Sequence, residues 1–176
     1  MRATAPTGVA RTFGEDEIIV SKTDLKGRIT YANDVFLRVS AYAEDEVLGQ
    51  PHSLIRHPET PRGLFHLLWE TIQAGDEIFA YINNLAKDGA HYWVLAHVTP
   101  TRDSRGAVVG YHSSRRSPSP AAVARVGELY AGMRAAEARH RRASDAAIAS
   151  RAALEEQLAG QPYDELVWEL VGEGRA

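Results

Sequence analysis

The hydrophobic positions at the start of the chain follow a pattern typical of strands. Short apolar runs at residues 18–23 and 28–31 flank a Lys-Gly turn, and this arrangement predicts a β-hairpin. Asn33 is a good N-cap and indicates a short helix after the hairpin, which a second short helical segment follows. Gly49 and the proline two residues later end that second segment.

A longer helix and three further strands follow residue 62. Leucines at helical spacing in GLFHLLWETIQAG predict a helix of about three turns that ends at Gly75. From Glu77 onward, apolar residues recur at every second position, which is typical of strands. This pattern predicts three strands joined by hairpin turns, in the stretches EIFAYINNLA, HYWVLAHVTPTR and GAVVGYHSSRR. This order predicts an α+β fold, in which a five-stranded antiparallel sheet with helices on one face encloses a pocket.

The composition divides the chain into segments. A Ser-Pro-Ser-Pro run indicates a linker, and the Ala-, Arg- and Glu-rich stretch beyond it predicts an amphipathic helix whose apolar stripe weakens in its middle. The predicted segments are a flexible leader at 1–16, a folded domain at 17–116, the linker at 117–120, a C-terminal helix at 121–160 and a short amphipathic tail at 161–176.

Strand alternation predicts which side chains face the pocket. In HYWVLAHV, the alternate positions from Tyr92 to Val98 are assigned inward, which leaves Trp93 and Leu95 on the outer face. A monomer rarely leaves such an apolar patch bare. We therefore expect the leader, the C-terminal helix or a second subunit to cover it, and a homodimer is the simplest arrangement.

Two adjacent asparagines lie in the first strand of that group, where asparagine is disfavoured. Asn84 shares its face with Ile82 and two other apolar residues, so we expect Asn84 to point into the domain and Asn83 to point out. A buried amide needs hydrogen-bond partners. The sequence therefore predicts that the buried side-chain amide of Asn84 needs hydrogen-bond partners that the apolar residues on its face cannot supply.

Composition narrows the function classes. The net charge of −3 argues against a general nucleic-acid binder, and no apolar run approaches the ~20 residues of a membrane span. The start of the chain lacks the apolar core of a secretory signal, so we expect a cytoplasmic protein. The absence of cysteine excludes thiolate chemistry, and no metal spacing, phosphate loop or nucleophile–base pair is recognisable, so we expect no enzymatic activity.

The stretch PHSLIRHPETP, residues 51–61, has neither a helical nor a strand period. Taken alone, it predicts a rigid surface loop in which Arg56 pairs with Glu59, a contact worth well under ~1 kcal/mol. His52 would then bond to backbone carbonyls of the loop, and the proline after His57 restricts the backbone there.

Four stretches of the chain resemble a known family. The stretches are TDLKGRITYANDVF, GQPHSLIRHPETP, KDGAHYWV and GYHSSRR. In order and spacing they resemble the PAS sensor domains, and specifically the flavin-binding PAS domain of bacterial aerotaxis receptors. The resemblance covers about residues 17–116. Two positions depart from the family pattern, because Glu59 stands where the family has aspartate and Ile78 where it usually has tryptophan.

The resemblance implies a noncovalently bound FAD and a role in redox or oxygen sensing. Its motifs imply cofactor contacts at Asn33, which an N-cap role explains equally well, and at Arg56, whose guanidinium suits phosphate oxygens. Phe65 and Trp69 on the longer helix could form an aromatic wall beside the flavin ring, and a place in the hydrophobic core is the alternative for them. The candidate cofactor-binding residues are Asn33, His52, Arg56, His57, Phe65, Trp69 and Asn84.

Two alternatives remain open at this stage. A haem b gas sensor on the same fold would use His57 or His66 as its axial ligand. An interaction protein would use the fold for dimerisation and dock YDELVWEL, near the C-terminus, on a partner. In the leading interpretation the chain is a standalone sensor, and its C-terminal region signals to a separate protein such as a chemotaxis component or a histidine kinase.

Overall fold

The computed structural model describes residues 4–173, in which five strands form one antiparallel sheet. The strands are β1 Ile19–Thr23, β2 Ile29–Ala32, β3 Ile78–Leu85, β4 His91–Arg102 and β5 Val108–Arg116. Their order across the sheet is β2-β1-β5-β4-β3, so that β2 and β3 are the edge strands. The predicted α+β fold with a five-stranded antiparallel sheet is confirmed.

Six α-helices and one short 3-10 helix complete the described chain. The α-helices are α1 Asp34–Ser40, α2 Glu44–Val47, α3 Arg62–Ala74, α4 Pro120–Glu137, α5 Ala143–Gln157 and α6 Tyr163–Glu173, and the 3-10 helix is His52–Ile55. Helix α3 buries Leu64, Leu68 and Ile72 on one face. It ends at Gly75, whose φ of 95° is a left-handed conformation that glycine adopts without strain.

The inner face of the sheet is built as the alternation predicts. Tyr92, Val94 and Ala96 of β4 are buried, whereas Trp93 and Leu95 between them are only partly buried on the other face. Side chains of β1, β3 and β5 join the buried set, and α3 lies against it. The main core therefore sits between the sheet and the helices that precede β3.

The expectation of one helix over 121–160 is wrong, because this region folds as α4 and α5 with a break between Glu137 and Ala143. The break falls in a run of charged residues that offers no apolar stripe to bury. The turn allows α5 to pack against both α4 and α3, which a continuous helix could not do. The tail forms α6, and residues 174–176 lie outside the described part.

The C-terminal helices cover the outer face of the sheet beside its β3 edge. Tyr130 of α4 stacks on Trp93 with ring centroids 6.0 Å apart, and Trp168 of α6 packs on Phe79 at 4.8 Å. The apolar face of the tail, which includes Leu166, is buried here. The sequence predicts that the leader, the C-terminal helix or a second subunit covers this face, and the C-terminal helices of the chain do cover it.

Residues 4–16 of the expected flexible leader are held in place, so that expectation is wrong for them; residues 1–3 lie outside the described part. The Thr7 N–H donates to Gly89 O at 2.9 Å, and the Arg11 N–H donates to His91 O at 2.8 Å. Arg11 also forms an ion pair with Asp88, and Phe13 is buried. The segment therefore packs along the β3–β4 hairpin because that hairpin offers backbone acceptors and a carboxylate. None of the helices within residues 4–173 has the length and apolar character to cross a membrane.

A positively charged cavity as the candidate functional site

A cavity of about 200 Å³ lies between the sheet and α3, with its floor on the inner faces of β1, β3, β4 and β5. One wall is formed by side chains of α3, namely Phe65, Leu68, Trp69 and Ile72. Residues of the β1–β2 turn and of the loop 51–61 complete the rim. The cavity thus occupies the place that the sequence predicts for a pocket.

Trp69 connects two parts of the rim. Its ring meets Tyr111 of β5 edge to face, with centroids 5.7 Å apart. On the other side it lies against Gly27, where the Cβ of any larger residue would come within 3.0 Å of the indole ring. Gly27 also has a φ of 74°, so the turn needs glycine both for its backbone and for the close approach of the indole.

The loop 51–61 is fastened to the β1–β2 turn at His52 and to strand β3 at Arg56. The His52 N–H donates to Gly27 O at 2.8 Å, and Arg56 forms an isolated antiparallel bridge with Asn84 of β3. The Arg56 guanidinium lies 3.7 Å from the centroid of the Phe65 ring, and its Nε is buried without a partner. The expected surface pair with Glu59 does not form; Arg56 lines the cavity instead.

His52 also faces the cavity, and it bonds to side chains rather than to the loop carbonyls that the sequence suggested. Its Nε2 lies 2.7 Å from Arg115 Nη2 and 3.0 Å from Ser21 Oγ. Because the guanidinium can only donate, His52 Nε2 accepts, and the ring is the neutral tautomer with its proton on Nδ1. Burial, together with the nearby charge of Arg115, lowers the pKa of His52 to about 3.

Asn84 points into the cavity as the strand alternation predicts, and its side-chain Nδ2 has no partner. Asn83 lies on the other face of the strand and does not line the cavity, but it is buried rather than exposed. Thr60 covers it, since the Thr60 hydroxyl donates to Asn83 O at 2.7 Å and accepts from Asn83 N at 3.2 Å.

Buried polar atoms without partners concentrate at this cavity. Within residues 4–173 six buried side-chain N and O atoms lack a hydrogen bond, and four of them belong to cavity-lining residues: Arg56, Asn84, Ser113 and Arg115. A buried unpaired donor costs about 1–3 kcal/mol. A native protein tolerates such a cluster where a ligand supplies the missing partners.

The charges around the cavity all have one sign. Lys26, Arg56 and Arg115 line it, and none of its lining residues in the described chain is an aspartate or a glutamate. Burial lowers the pKa of Arg115 to about 10, which still leaves this guanidinium protonated at neutral pH. The cavity is therefore suited to a ligand with acceptor groups or negative charge.

Two predicted site residues do not reach the cavity. Asn33 is occupied by the backbone: its Oδ1 accepts from Phe36 N at 2.9 Å and from Val20 N at 3.0 Å, and its Nδ2 donates to Ile18 O at 2.8 Å. The N-cap interpretation is thus correct, and these bonds hold the side chain against the backbone at the starts of α1 and β1, outside the cavity lining. His57 is buried beside His91 instead, with ring centroids 5.8 Å apart, and its Nδ1 accepts from the backbone of Glu59.

The axial ligands expected for haem are also misplaced. His57 lies outside the cavity, and His66 is exposed on α3 and does not line it. His52 does line the cavity, but Arg115 and Ser21 occupy its Nε2. No group of three or more metal-ligating side chains occurs in the part of the chain that the structure describes.

The polar residues of β1 and β5 at the cavity are not among the site residues that the sequence predicts. Ser21 on β1, with Ser113 and Arg115 on β5, lies on the inner face, and all three are buried. The signal was available in GYHSSRR, where every second residue from Tyr111 faces inward and two of these three are polar. Polar residues on a face that should be apolar indicate a site, as at Asn84.

Comparison with known proteins identifies similar domains. Residues 29–115 match the model of the family described as PAS fold. The aerotaxis receptor of Escherichia coli K12 is 37% identical over 123 residues, which are 70% of this chain and 24% of the receptor. The nitrogen fixation regulatory protein of Klebsiella pneumoniae is 30% identical over 102 residues, 58% of this chain and 21% of that protein. The chain thus spans about a quarter or less of the length of these relatives.

Solved structures show the same architecture. The dark structure of the blue-light photoreceptor Aureochrome1 LOV has a TM-score of 0.54 and 26% identity, and the match covers 66% of this chain and 84% of that one. A light-oxygen-voltage domain from a study of a flavin analogue has a TM-score of 0.58, with 64% of this chain and 85% of that one covered. At 24% identity, this second likeness establishes the fold alone.

Proposed function

Residues 29–115 form a PAS domain, and from this premise we propose that the protein is a redox sensor that binds FAD noncovalently and signals through its C-terminal helices. The observation that carries the proposal is the cluster of unpartnered buried polar side chains at the cavity. A ligand with several acceptors on one rigid frame would satisfy donors that the protein leaves unpaired. The similarity to an aerotaxis receptor and to the Aureochrome1 LOV photoreceptor supports a flavin as that ligand.

The residues at the cavity fit a flavin in shape and chemistry. At about 200 Å³ the space is small for a ligand cavity, which favours a flat ring inside and the phosphates at the rim. The walls supply aromatic and aliphatic surface at Phe65, Trp69 and Ile82 for the faces of a ring. Asn84 and Ser113 supply unpaired polar groups for its edge.

Arg56 is suited to the phosphates. The residue is partly exposed at the rim, its buried Nε is a donor without a partner, and the Phe65 ring supports one face of the guanidinium. A bound flavin would supply the redox chemistry, because its ring accepts and returns electrons. The protein's part is to hold the ring, to limit access of water and to offer donors whose bonds change when the charge of the ring changes.

The loop 51–61 also provides a route from the cavity to the C-terminal helices. Arg56 lines the cavity, and three residues later Glu59 O accepts from Arg134 Nη1 of α4 at 2.8 Å. The Arg62 N–H, which begins α3, donates to Glu137 Oε1 of α4 at 2.6 Å. A movement of this loop in response to the ligand would therefore act directly on α4.

Helix α3 makes the second connection. The Gly63 N–H donates to Ser150 Oγ of α5 at 3.2 Å, and a Cβ on Gly63 would lie 2.5 Å from the backbone nitrogen of Arg151. This close contact joins α5 to the helix whose next turns carry Phe65 and Trp69. We propose that reduction of the flavin shifts α3 and the loop, and that α4, α5 and α6 respond as the output to a separate signalling protein in the cytoplasm.

The first test is the presence of flavin. The purified protein is expected to be yellow and to release FAD on denaturation, identified by absorbance and chromatography. Asn84→Ala and Arg56→Gln are each expected to lower FAD occupancy at least tenfold, whereas the matched controls Asn33→Asp and Arg125→Gln retain it. A wild-type protein that takes up no FAD when FAD is supplied would refute the proposal.

The second test concerns the output. Backbone amide exchange in α4–α6 is expected to differ between the oxidised protein and the protein reduced with dithionite. Arg134→Gln removes the bond to Glu59 O and should diminish that difference, while Arg125→Gln on the exposed side of α4 should not. Identical exchange in the two redox states of the wild type would contradict signalling through these helices.

A further inference from the structure

Arg115 is a buried guanidinium without a carboxylate partner in the described part of the chain. It lies on the inner face of β5, is 3% exposed and lines the cavity. Its Nη2 donates to Ser21 Oγ at 2.8 Å and to His52 Nε2 at 2.7 Å. Its Nη1 is buried and has no partner.

This arrangement is unusual for an arginine. A buried charge is normally paired, because removing one from water without an opposite charge costs several kcal/mol. The two acceptors around Arg115, a hydroxyl and a neutral imidazole, fix one edge of the guanidinium without neutralising it. The positive charge and one N–H edge are therefore left for whatever occupies the cavity.

No neighbouring element supplies the missing charge. The Tyr92 hydroxyl of β4 is buried and unpartnered, but burial raises the pKa of this phenol well above neutral pH, so it carries no charge. His112, whose pKa burial lowers, and Lys26 also line the cavity, and neither is an anion. Arg56 on the loop adds positive charge.

We propose that Arg115 is an anion-recognition residue, and that through it the cavity selects the anionic form of its ligand. The inference rests on the proposed function, in which the ligand is a flavin. The oxidised ring has no net charge. When it takes two electrons from a donor such as dithionite and one proton from water, it carries one negative charge. Arg115 would hold that reduced ring more tightly than the oxidised one.

Tighter binding of the reduced form raises the reduction potential. For a two-electron couple, each tenfold change in the ratio of the two dissociation constants shifts the potential by about 30 mV. The FAD-loaded protein is titrated with dithionite at pH 7.5, and Arg115→Gln is expected to have a potential at least ~30 mV below that of the wild type. Arg115→Lys, which keeps the charge, should recover most of the difference. The neighbouring exposed Arg116→Gln is the matched control and should show no shift.

A second variant tests the charge without removing Arg115. Ser21→Asp places a carboxylate beside the guanidinium, at the position of the hydroxyl that now accepts from it. It supplies the absent counter-charge and should lower the potential in the same direction. If Arg115→Gln does not fold, the reduction potential of Ser21→Asp tests the role of the Arg115 charge on its own.

The outcomes separate this inference from the proposed function. A wild type that binds no FAD overturns both. A wild type that binds FAD, with Arg115→Gln or Ser21→Asp potentials equal to that of Arg116→Gln, overturns the role of Arg115 and leaves the flavin sensor standing. A fall in potential that Arg115→Lys reverses supports the inference.

Discussion

The cavity and the β3 edge both bury polar groups, but they treat them in opposite ways. At the edge, Tyr130 Oη of α4 donates to Tyr81 O at 2.6 Å and lies 3.1 Å from Tyr163 Oη of α6, which in turn accepts from Tyr81 N at 3.4 Å. Thr60 does the same for the backbone of Asn83. Side chains of the same chain thereby satisfy backbone groups of this edge strand at Tyr81 and Asn83.

At the cavity, by contrast, donors of Arg56, Asn84 and Arg115 remain without partners. Both sites are buried, so burial alone does not distinguish a structural polar cluster from a ligand site. The number of unpaired polar atoms does: among the described residues the β3 edge leaves only Asn83 Oδ1 without a partner, whereas four cavity-lining residues have unpaired atoms. A satisfied network stabilises the fold, whereas unpaired donors are available to a ligand. Four measurements test this difference, in decreasing order of the expected effect on stability.

Asn33→Ala should have the largest effect on stability. It removes the N-cap of α1 and two further bonds, to the backbone of Ile18 and Val20 at the start of β1, so we expect a loss of about 2 kcal/mol in the free energy of unfolding. Urea denaturation measures it. FAD occupancy of the folded protein should be unchanged, and a selective loss of FAD would show that Asn33 acts at the cavity after all.

Tyr130→Phe should cost somewhat less, about 1–2 kcal/mol, because it leaves Tyr81 O without its donor in a buried position. The control is Tyr31→Phe, since Tyr31 is 45% exposed and its hydroxyl should contribute little. Equal unfolding free energies for the two variants would mean that the edge network does not stabilise the fold.

Acid should destabilise the protein through His52. Its pKa of about 3 lies below the ordinary 6.5, so the unfolded chain binds the proton first and stability falls as the pH drops from 6.5 towards 3. Between pH 7 and pH 5.5 the loss from this group is on the order of 1 kcal/mol. His52→Gln should show a flatter profile in urea denaturation at several pH values, whereas the exposed control His140→Gln should follow the wild type.

Asn84→Ala should have the smallest effect on the flavin-free protein, within about 0.5 kcal/mol, because its side-chain Nδ2 has no partner to lose. The same substitution should remove the added stability that FAD confers on the wild type, measured as the shift in thermal midpoint with and without FAD. A large destabilisation without FAD would place Asn84 with the structural polar groups instead.

Local patterns in the sequence were sufficient for much of the fold. Alternation and turn residues located the strands and the inward side chain of Asn84, and glycine located the end of α3. The loop 51–61 was also recognisable from its composition, and His52 and Arg56 do reach the cavity. These features depend on residues close together in the chain, which is why local rules find them.

The sequence by itself thus determined the sheet, the cavity between sheet and helix, and the amide at its floor. Only the tertiary structure decided that the Asn33 side chain bonds to the backbone and that His57 lies outside the cavity. It likewise decided that Arg115 Nη1 is buried without a hydrogen-bond partner. It also decided that the C-terminal helices fold back onto β3 and α3. The physical reason is that hydrogen-bond satisfaction and burial depend on partners distant in the chain, such as Ser21 and Arg115 with a separation of 94 residues, which no local pattern records.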